Sequence, residues 1–443
     1  MTIAAMVVWE RKSVSALRWW EPLRQITVAA VTGRRPDSPK LLLQLAIAFC
    51  VVVGAYDVLT IILFLAGGPY IGPQRWVLFP DFIVFHAAGR AVLEGKLGAI
   101  YNLAAFSDYL NLNYAEYFNR KLIDFRPFMY PPPWILLTLP LALPGVAMGY
   151  GLFMASTGVL ATFLIGRANL WIWIAALTSP AALWTMIAGQ NAFLNVGLFY
   201  GGMRLLDRSP MISGILLGLL SYKPQLFVLI PVALLAARRW RALWWTIGTA
   251  AGMALASLLV FGPAFWIQFL EMARESSTSQ FTEQMYRHVA TFMTTIQAAG
   301  RLLGVPPALA TGAQLAGALA ALVTVWRAFS RHPLGDETTA VLAAGTLLVS
   351  PYLINYDLLL MMPAALMVFR RRVGSDLHPG ELLFYAGLWV IPNLGIRLNA
   401  KGIPVTPLFV AGLLFLAWQA LKQRAVGEPG AISGRVTARV TGP

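Results

Sequence analysis

LLLQLAIAFCVVVGAYDVLTIILFLA, from Leu41 to Ala66, is the stretch that determines the class of fold. A helix needs about 20 consecutive apolar residues to cross the hydrocarbon core of a bilayer. This run is longer than that, and Gln44 and Asp57 are its strongly polar interruptions. Further apolar runs follow as far as Leu421. The sequence therefore predicts an all-α, polytopic membrane protein.

Composition supports this class. The 443 residues are 58% hydrophobic and 12% charged, with a mean hydropathy of +0.66, whereas soluble domains are about 25% charged. The single cysteine, Cys50, excludes an intrachain disulfide and a CxxC metal site. The first 40 residues lack a compact apolar run followed by a cleavage site, so we expect the first helix to be its own insertion signal.

The net charge of +15 would suggest nucleic acid as the partner of a soluble protein, but here the basic residues mark cytoplasmic loops. Residues 1–40 are predicted to form a basic amphipathic cytoplasmic segment that contacts anionic lipid, with Trp19 and Trp20 at the interface. The later basic clusters are Arg204/Arg208, Arg238/Arg239/Arg241, Arg327/Arg331, Arg370/Arg371/Arg372 and Lys422/Arg424.

The polar breaks midway between these clusters are then extracytoplasmic. They are the outer loop 67–130, Gly189–Asn191, Ser221–Gln225, the second outer loop 262–306, Ser350–Asp357 and Asn393–Pro404. The spans on either side of Lys223 are short, and broken helices are tolerated in membranes where they line protein or a water-filled cavity. We therefore expect a cavity that opens outward.

The domain organisation predicted from this map is simple. Residues 41–421 form a membrane domain of about 11 to 13 transmembrane helices with extracytoplasmic loop helices, and both termini are inside. A re-entrant stretch from Pro131 to Pro144 is one way to make the number of spans agree with that topology. Residues 422–443, rich in Gly and Pro at their end, are predicted to be a disordered cytoplasmic tail.

One carboxylate stands out in the first outer loop. Asp81 lies between Pro80 and a run of aromatic residues, in a stretch too polar for lipid. One interpretation is that Asp81 caps a helix beginning at Phe82. The breaks "GQNAFL", "SYKPQL" and "SPYLINYDLLLMMP" also have the alternative interpretation of turns or caps. All three are predicted to lie on the same side of the membrane as Asp81, which favours a shared site.

Between Pro80 and about Pro363 the chain resembles glycosyltransferase family 87, of the GT-C type of integral-membrane glycosyltransferases. The resemblance rests on "PDFIVFHAAG", "RPFMYPPPWILLTLPLALP", "GQNAFL", "RSPMISGILLGLLSYKPQLFVLIPVALL" and "LLVSPYLINYDLLLMMPAAL", in that order. It implies a GT-C type bundle, a polyprenyl-phosphate-linked sugar donor, an acceptor at the outer face and inversion at the anomeric carbon.

The resemblance also implies a catalytic acidic residue in the first outer loop, which corresponds to Asp81. Attack by an acceptor hydroxyl needs a base, and a carboxylate in a partly desolvated cleft has a raised pKa that suits this role. Asp57 and Asp357 are the other acids that could share in the chemistry.

The leaving lipid phosphate needs fixed positive charge. Lys223 is the first candidate because a lysine at a broken helix tip is costly unless it meets an anion or water, although it could also be a snorkelling surface residue. Arg126 could add a bidentate contact, and Arg287 with His288 could close over the phosphate.

The remaining candidates are polar residues predicted to bind the sugar or the acceptor. They are His86, Tyr130, Gln190, Asn191, Asn355, Tyr356 and Asp357. Some mannosyltransferases of this family have His within the segment that reads Asn355-Tyr356-Asp357 here, which leaves the sugar open. Asp-x-Asp, Gly-rich phosphate-loop, HExxH and paired Cys/His patterns are absent from the sequence, so we predict neither a metal nor a cofactor.

The predicted function is transfer of a mannose-like hexose from a polyprenyl-phosphate donor to a glycolipid or glycan acceptor, at the outer side of the cell inner (plasma) membrane. The partners are that donor, the acceptor and membrane lipids, with no nucleic acid. The alternatives are a lipid or lipid-linked-sugar transporter or flippase, which would normally show repeat symmetry, and a non-catalytic lipid-binding subunit.

Overall fold

A computed structural model describes residues 48–49, 51–56, 59, 62, 79–118, 123, 125–166, 169–276, 278–373 and 379–427. Within these residues the regular secondary structure is helical, apart from one isolated antiparallel bridge between Met293 and Ile354. This confirms the all-α class. The predicted N-terminal segment 1–40, Asp57 and Asp124 lie outside the described residues.

The described part of the first outer loop is helical from Pro80 to Phe118, apart from short turns. Its elements are α1 (Pro80–Leu93), α2 (Leu97–Ile100), α3 (Leu103–Tyr114) and the 3-10 turn Ala115–Phe118. Pro80 suits the first position of α1 because that position needs no N–H partner, and the Asn102 side chain caps α3 by accepting from the Ala105 N–H at 3.0 Å. Fully buried Phe82 and Phe106 help to anchor this layer to the protein core.

Asp81 does not cap a helix. The helix begins at Pro80, one residue before Asp81, and the N-cap is Phe79, which offers no side-chain oxygen. The interpretation of Asp81 as the cap of a helix starting at Phe82 is therefore wrong, and the carboxylate is left for other contacts.

The chain re-enters through a short broken stretch. α4 (Pro132–Thr138) and the 3-10 turn Leu139–Ala142 precede α5 (Val146–Ile165). At 1.5 Å per residue, the helical stretch Pro132–Ala142 rises about 16 Å, roughly half of the hydrocarbon thickness. This length agrees with the re-entrant alternative.

Several helices are long and apolar enough to cross a membrane. In the part of the chain that the structure describes, three satisfy this test, and a bent pair would make a fourth. The three are α5, α12 (Trp240–Phe261) and α16 (Pro307–Arg331), and the pair is α6 (Leu170–Leu177) with α7 (Pro180–Ala188), bent by 66°. The total of 11 to 13 spans stays a prediction.

Between these spans lie shorter apolar helices that break at the predicted polar positions. Gly189–Asn191 separates α7 from α8 (Ala192–Leu205), and Lys223 separates α9 (Pro210–Leu219), with its 3-10 turn Leu220–Tyr222, from α10 (Pro224–Phe227) and α11 (Leu229–Ala236). The prediction of broken helices at these two sites is confirmed.

The remaining helices form the second outer loop and the C-terminal half. They are α13 (Pro263–Glu275), α14 (Ser279–Val289), the 3-10 turn Ala290–Phe292, α15 (Ile296–Leu302), α17 (Asp336–Val349), the 3-10 helix Asn355–Leu360, α18 (Met361–Val373), α19 (Pro379–Asn399) and α20 (Thr406–Gly427). Because α20 continues to Gly427, the predicted start of a disordered tail at residue 422 is wrong by six residues, and the rest of that tail lies outside the described residues.

Candidate active site

A strained turn presents Asp81. Phe79 has φ 43° and ψ 46°, the left-handed region that bulky residues rarely adopt. Its backbone N–H donates to the Ile187 carbonyl at 2.7 Å, and its ring stacks on Tyr150 with centroids 4.4 Å apart. Such strain costs about 1–3 kcal/mol. The hydrogen bond holds the start of α1 against the end of α7, and the ring contact holds it against α5.

Glycine at position 189 permits this close approach. Gly189 has φ 71°, and a Cβ placed there would lie 2.6 Å from the Phe82 Cβ and 2.8 Å from the Phe79 Cβ. Any larger residue would have to push α1 away from the break between α7 and α8. The sequence Gly189-Gln190 therefore places Gln190 directly beside Asp81.

A cavity of about 280 Å³ lies where α1 meets the three polar breaks. Its polar and charged lining comes from the first outer loop, the Gly189–Asn191 break, the Lys223 break and the loop 351–357. The lining residues are Asp81, Val84, Phe85, Arg126, Pro127, Met129, Tyr130, Pro131, Gln190, Tyr222, Lys223, Pro224, Gln225, Pro351, Tyr352, Tyr356 and Asp357.

The Asp81 carboxylate is held at both oxygens. Oδ2 accepts from Gln190 Nε2 at 2.9 Å, and Oδ1 lies 3.4 Å from an Arg126 guanidinium nitrogen. The Asp81 side chain is 29% exposed, so one face is open to the cavity. Burial raises the pKa of Asp81, while Arg126 and then Gln190 act in the opposite direction.

Lys223 and Asp357 form a buried ion pair on the other side of the cavity. Nζ donates to Asp357 Oδ1 at 2.5 Å, and each side chain is 3% exposed. Nζ also donates to Asn191 Oδ1 at 3.3 Å and lies 5.5 Å from the centre of the Tyr356 ring. A snorkelling lysine keeps its ammonium in water, whereas this ammonium is buried against a carboxylate. The alternative of Lys223 as a snorkelling surface residue is therefore wrong.

Hydrogen bonds connect the two sides of the cavity. The Tyr130 hydroxyl donates to Gln190 Oε1 at 3.0 Å and accepts from Asn191 Nδ2 at 3.1 Å. Asn191 is fully buried behind the cavity and does not line it. The chain of contacts therefore runs from Asp81 through Gln190, Tyr130 and Asn191 to Lys223.

His86 lies outside the cavity. It follows Asp81 by five residues, and at 3.6 residues per turn this spacing turns its side chain about 140° around α1. Nε2 lies 2.9 Å from the Pro144 carbonyl, which can only accept, so Nε2 carries the proton and Nδ1 accepts from the Tyr114 hydroxyl at 2.9 Å. With both ring nitrogens engaged, the prediction that His86 binds the sugar or acceptor is corrected to a structural role.

Two further candidates lie away from the cavity. The Asn355 amide donates to the Pro392 carbonyl at 3.3 Å and is 2% exposed, which fixes the 3-10 helix to α19. His288 Nδ1 pairs with the Gln284 carbonyl at 2.8 Å, and its ring stacks on Phe125 at 5.2 Å. Neither lines the cavity, so these two site predictions are corrected. The side chain of Arg287 lies outside what the structure describes.

Some lining residues were missed at the sequence level. Tyr222 and Gln225 flank Lys223 in the same break, and Tyr352 lies in the loop before Asp357. The motifs "SYKPQL" and "SPYLIN" contained all three, so their position in a helix break was the available signal. Among the described residues, no three His, Cys, Asp or Glu side chains come close enough to hold a metal ion.

Comparison with known families identifies the class of enzyme. The family model described as Glycosyltransferase family 87 matches residues 128–351, just over half of the chain. The chain belongs to glycosyltransferase family 87. No curated protein and no solved structure matches it. With its membrane-length helices, this family 87 protein is a membrane glycosyltransferase, and its fold is consistent with the GT-C type.

The matched region contains part of the cavity. It covers Tyr130, Gln190 and Lys223, whereas Asp81 lies before it and Asp357 after it. The structure brings Asp81 and Asp357 to the same cavity as the helix breaks at Gln190 and Lys223, which the family model covers.

Proposed function

We propose that this family 87 glycosyltransferase moves a mannose-like hexose from a polyprenyl-phosphate donor to a lipid or glycan acceptor, with inversion and with Asp81 as general base. The observation that carries the proposal is the cavity itself. One partly exposed carboxylate and two cations line a single cavity at the meeting point of the helix breaks.

The chemistry requires a base for the acceptor proton and positive charge for the departing lipid phosphate. The acceptor oxygen forms a bond to that carbon, the bond from that carbon to the phosphate oxygen breaks, and the acceptor proton moves to Asp81. Asp81 Oδ2 is engaged by Gln190, while Oδ1 has only the longer 3.4 Å contact with Arg126. Oδ1 is therefore the oxygen that takes the proton.

The two cations differ in how easily they could meet a phosphate. Lys223 is held at 2.5 Å by Asp357 with both side chains 3% exposed, whereas Arg126 is 33% exposed and its contact with Asp81 is 3.4 Å. The planar guanidinium also suits a phosphate geometrically. We therefore place Arg126 first as the contact of the donor phosphate, with Lys223, on the other side of the cavity, as a second positive charge.

The size and lining of the cavity suit the reacting sugar. About 280 Å³ is just below the usual range for small-molecule sites, about 300–1,000 Å³, so the cavity would hold the sugar while the lipid chain of the donor extends into the bilayer. Tyr356 lines the cavity and is proposed to bind a sugar hydroxyl, while Tyr130 and Asp357 line it with groups that are already hydrogen-bonded within the protein. The positive-inside pattern supports a cavity at the extracytoplasmic face of the inner membrane.

Donor profiling of purified protein tests this proposal. Protein in detergent is incubated with synthetic polyprenyl-phosphate mannose, glucose, galactose or arabinose, and release of the lipid phosphate is measured with and without membrane-extracted acceptors. Acceptor-dependent release that requires Asp81 supports the proposal. A protein that instead moves the intact donor across the membrane of proteoliposomes, without cleaving it, would be the transporter of the alternative interpretation.

A further inference from the structure

We propose that Gln190 is a positioning residue whose amide is locked in one orientation, so that its NH₂ group always faces Asp81. This inference rests on the proposed function, in which Asp81 is the base. It gives Gln190 a different role from the sugar contact predicted by the sequence.

The backbone of Asn191 fixes the amide. Its N–H lies 3.2 Å from the Gln190 side-chain oxygen, and a backbone N–H can only donate. The Tyr130 hydroxyl donates to the same oxygen at 3.0 Å. Turning the amide by 180° would set its NH₂ against the Asn191 N–H and its oxygen against the Asp81 carboxylate, and both contacts are repulsive.

The direction of the Tyr130 hydroxyl is fixed in turn. Asn191 Nδ2 donates to the phenolic oxygen at 3.1 Å, which leaves the single Tyr130 proton for Gln190. The orientation of the Asn191 amide is set by Lys223, since an ammonium can only donate and its Nζ lies 3.3 Å from Oδ1. Asn195 Nδ2 donates to that oxygen as well, at 3.1 Å.

We call Lys223, Asn191, Tyr130 and Gln190 the relay. Gln190 is 3% exposed, Lys223 is 2% exposed and Asn191 is fully buried, so water competes little for the hydrogen bonds between these residues, and Tyr130 is half-buried in the cavity lining. Each member has one allowed direction of donation. The orientation is therefore transmitted from the Lys223–Asp357 pair to Oδ2 of Asp81 through the hydrogen bonds of the relay.

The relay acts on Asp81 through its last hydrogen bond. A donor to the ionised carboxylate favours the charged form and counteracts the rise in pKa that burial causes. The other charged groups that act on Asp81 are Arg126 and Lys223, which lower its pKa, and Asp357, which raises it. The phenols of Tyr130, Tyr352 and Tyr356 also interact with it: burial raises the pKa of each phenol, and the Asp81 charge raises it further.

The test is a pH titration of Asp81 that needs no substrate. Infrared spectra of the detergent-purified protein are recorded against pH, and the Asp81 carboxyl band is identified by its loss in Asp81→Asn. Gln190→Met keeps the length of the side chain and removes the donor. In Gln190→Met we expect the pH midpoint of the Asp81 titration to rise by about one to two pH units, because a hydrogen bond to a charged group typically contributes that much free energy.

Two further variants bracket the result. Tyr130→Phe removes one lock on the amide, so a smaller rise is expected, and Gln190→Glu places a second carboxylate against Asp81, so a larger rise is expected. Tyr200→Phe is the matched control. It removes a buried hydroxyl that donates to the Leu360 carbonyl at 2.7 Å, outside the cavity lining, and should leave the midpoint unchanged.

An unchanged midpoint in folded Gln190→Met overturns the inference. If thermal melts show that this variant does not fold, an unchanged midpoint in Tyr130→Phe overturns it instead. Sugar transfer by the wild type, compared with Asp81→Asn, tests the proposed function separately. A shifted midpoint in a protein that transfers no sugar would support the relay and reject the donor, and an active enzyme with an unshifted midpoint would do the reverse.

Discussion

Lys223 and Asp357 are 134 residues apart, yet they form an ion pair of 2.5 Å in which both side chains are buried. The pair joins the break between α9 and α10 to the 3-10 helix before α18. Asp357 Oδ2 also accepts from the Ile354 backbone N–H at 3.3 Å. One electrostatic contact therefore fixes two walls of the cavity relative to each other.

Removing one partner of this pair should be more damaging than removing both. Lys223→Met or Asp357→Leu alone leaves an uncompensated buried charge, which typically costs about 3–5 kcal/mol, whereas the double variant leaves none. Thermal melts in detergent of the two single variants and the double variant measure this. A double variant as unstable as the sum of the singles would show that the two residues do not interact.

An exposed ion pair provides the control for that cycle. Arg239 and Asp207 are also 2.5 Å apart, but their side chains are 43% and 58% exposed. Solvent screening makes such pairs worth about 0–1 kcal/mol. Asp207→Asn should accordingly leave the melting temperature almost unchanged.

Asp81→Asn should keep the fold and lose the chemistry. The amide has nearly the shape of the carboxylate, Asp81 caps no helix, and its ion pair with Arg126 is 3.4 Å long and partly exposed, so little stability depends on its charge. Loss of a general base typically lowers the rate about a hundredfold to ten-thousandfold. Sugar transfer by purified wild type and variant is compared alongside melts. Near-normal transfer by a folded variant would exclude the catalytic role and direct attention to Asp57 or Asp357.

Arg126→Ala should weaken donor use and also change the pH profile. The Arg126 charge lowers the pKa of Asp81, so its removal raises that pKa. Because the base acts when ionised, the acid limb of the kcat/KM profile should move to higher pH. Arg126→Lys should retain part of the donor affinity through its charge. An unchanged KM for the donor in Arg126→Ala would remove Arg126 from the phosphate site.

Gly189→Ala should disturb the site by straining the backbone at residue 189 and by crowding the start of α1. The new Cβ would lie 2.6 Å from the Phe82 Cβ at a φ of 71°, so α1 must shift by part of an ångström and carry Asp81 away from Gln190. We expect a lower melting temperature and reduced transfer. Gly151→Ala in α5, where a Cβ meets nothing within 4 Å, is the matched control and should be neutral or slightly stabilising.

The topology can be checked by cysteine labelling after replacement of Cys50. Asp108 lies in α3 of the first outer loop and Arg371 lies in a basic cluster, and both are exposed. The positive-inside rule predicts that an impermeant thiol reagent labels Asp108→Cys from outside and labels Arg371→Cys only after permeabilisation. The opposite pattern would invert the map and place the cavity on the cytoplasmic side.

The sequence by itself determined the class of the protein and the positions of its breaks. Long apolar runs and basic loops are local signals, and Gly189, Lys223 and the Pro131–Pro144 stretch interrupt helices because of their own backbone or charge. The motif order also gave the family. The position of His86 on the far side of α1 was predictable as well, because five residues along a helix turn a side chain away from Asp81.

The tertiary structure alone decided which polar groups meet. Gln190 contacts Asp81 although they are 109 residues apart. Lys223 is paired with Asp357 and is not an unpaired cation. Helix periodicity does not predict such contacts, because they depend on how segments distant in sequence pack together. Close packing at Gly189 and the electrostatic cost of a buried lysine select these partners, and both act between segments that no local pattern connects.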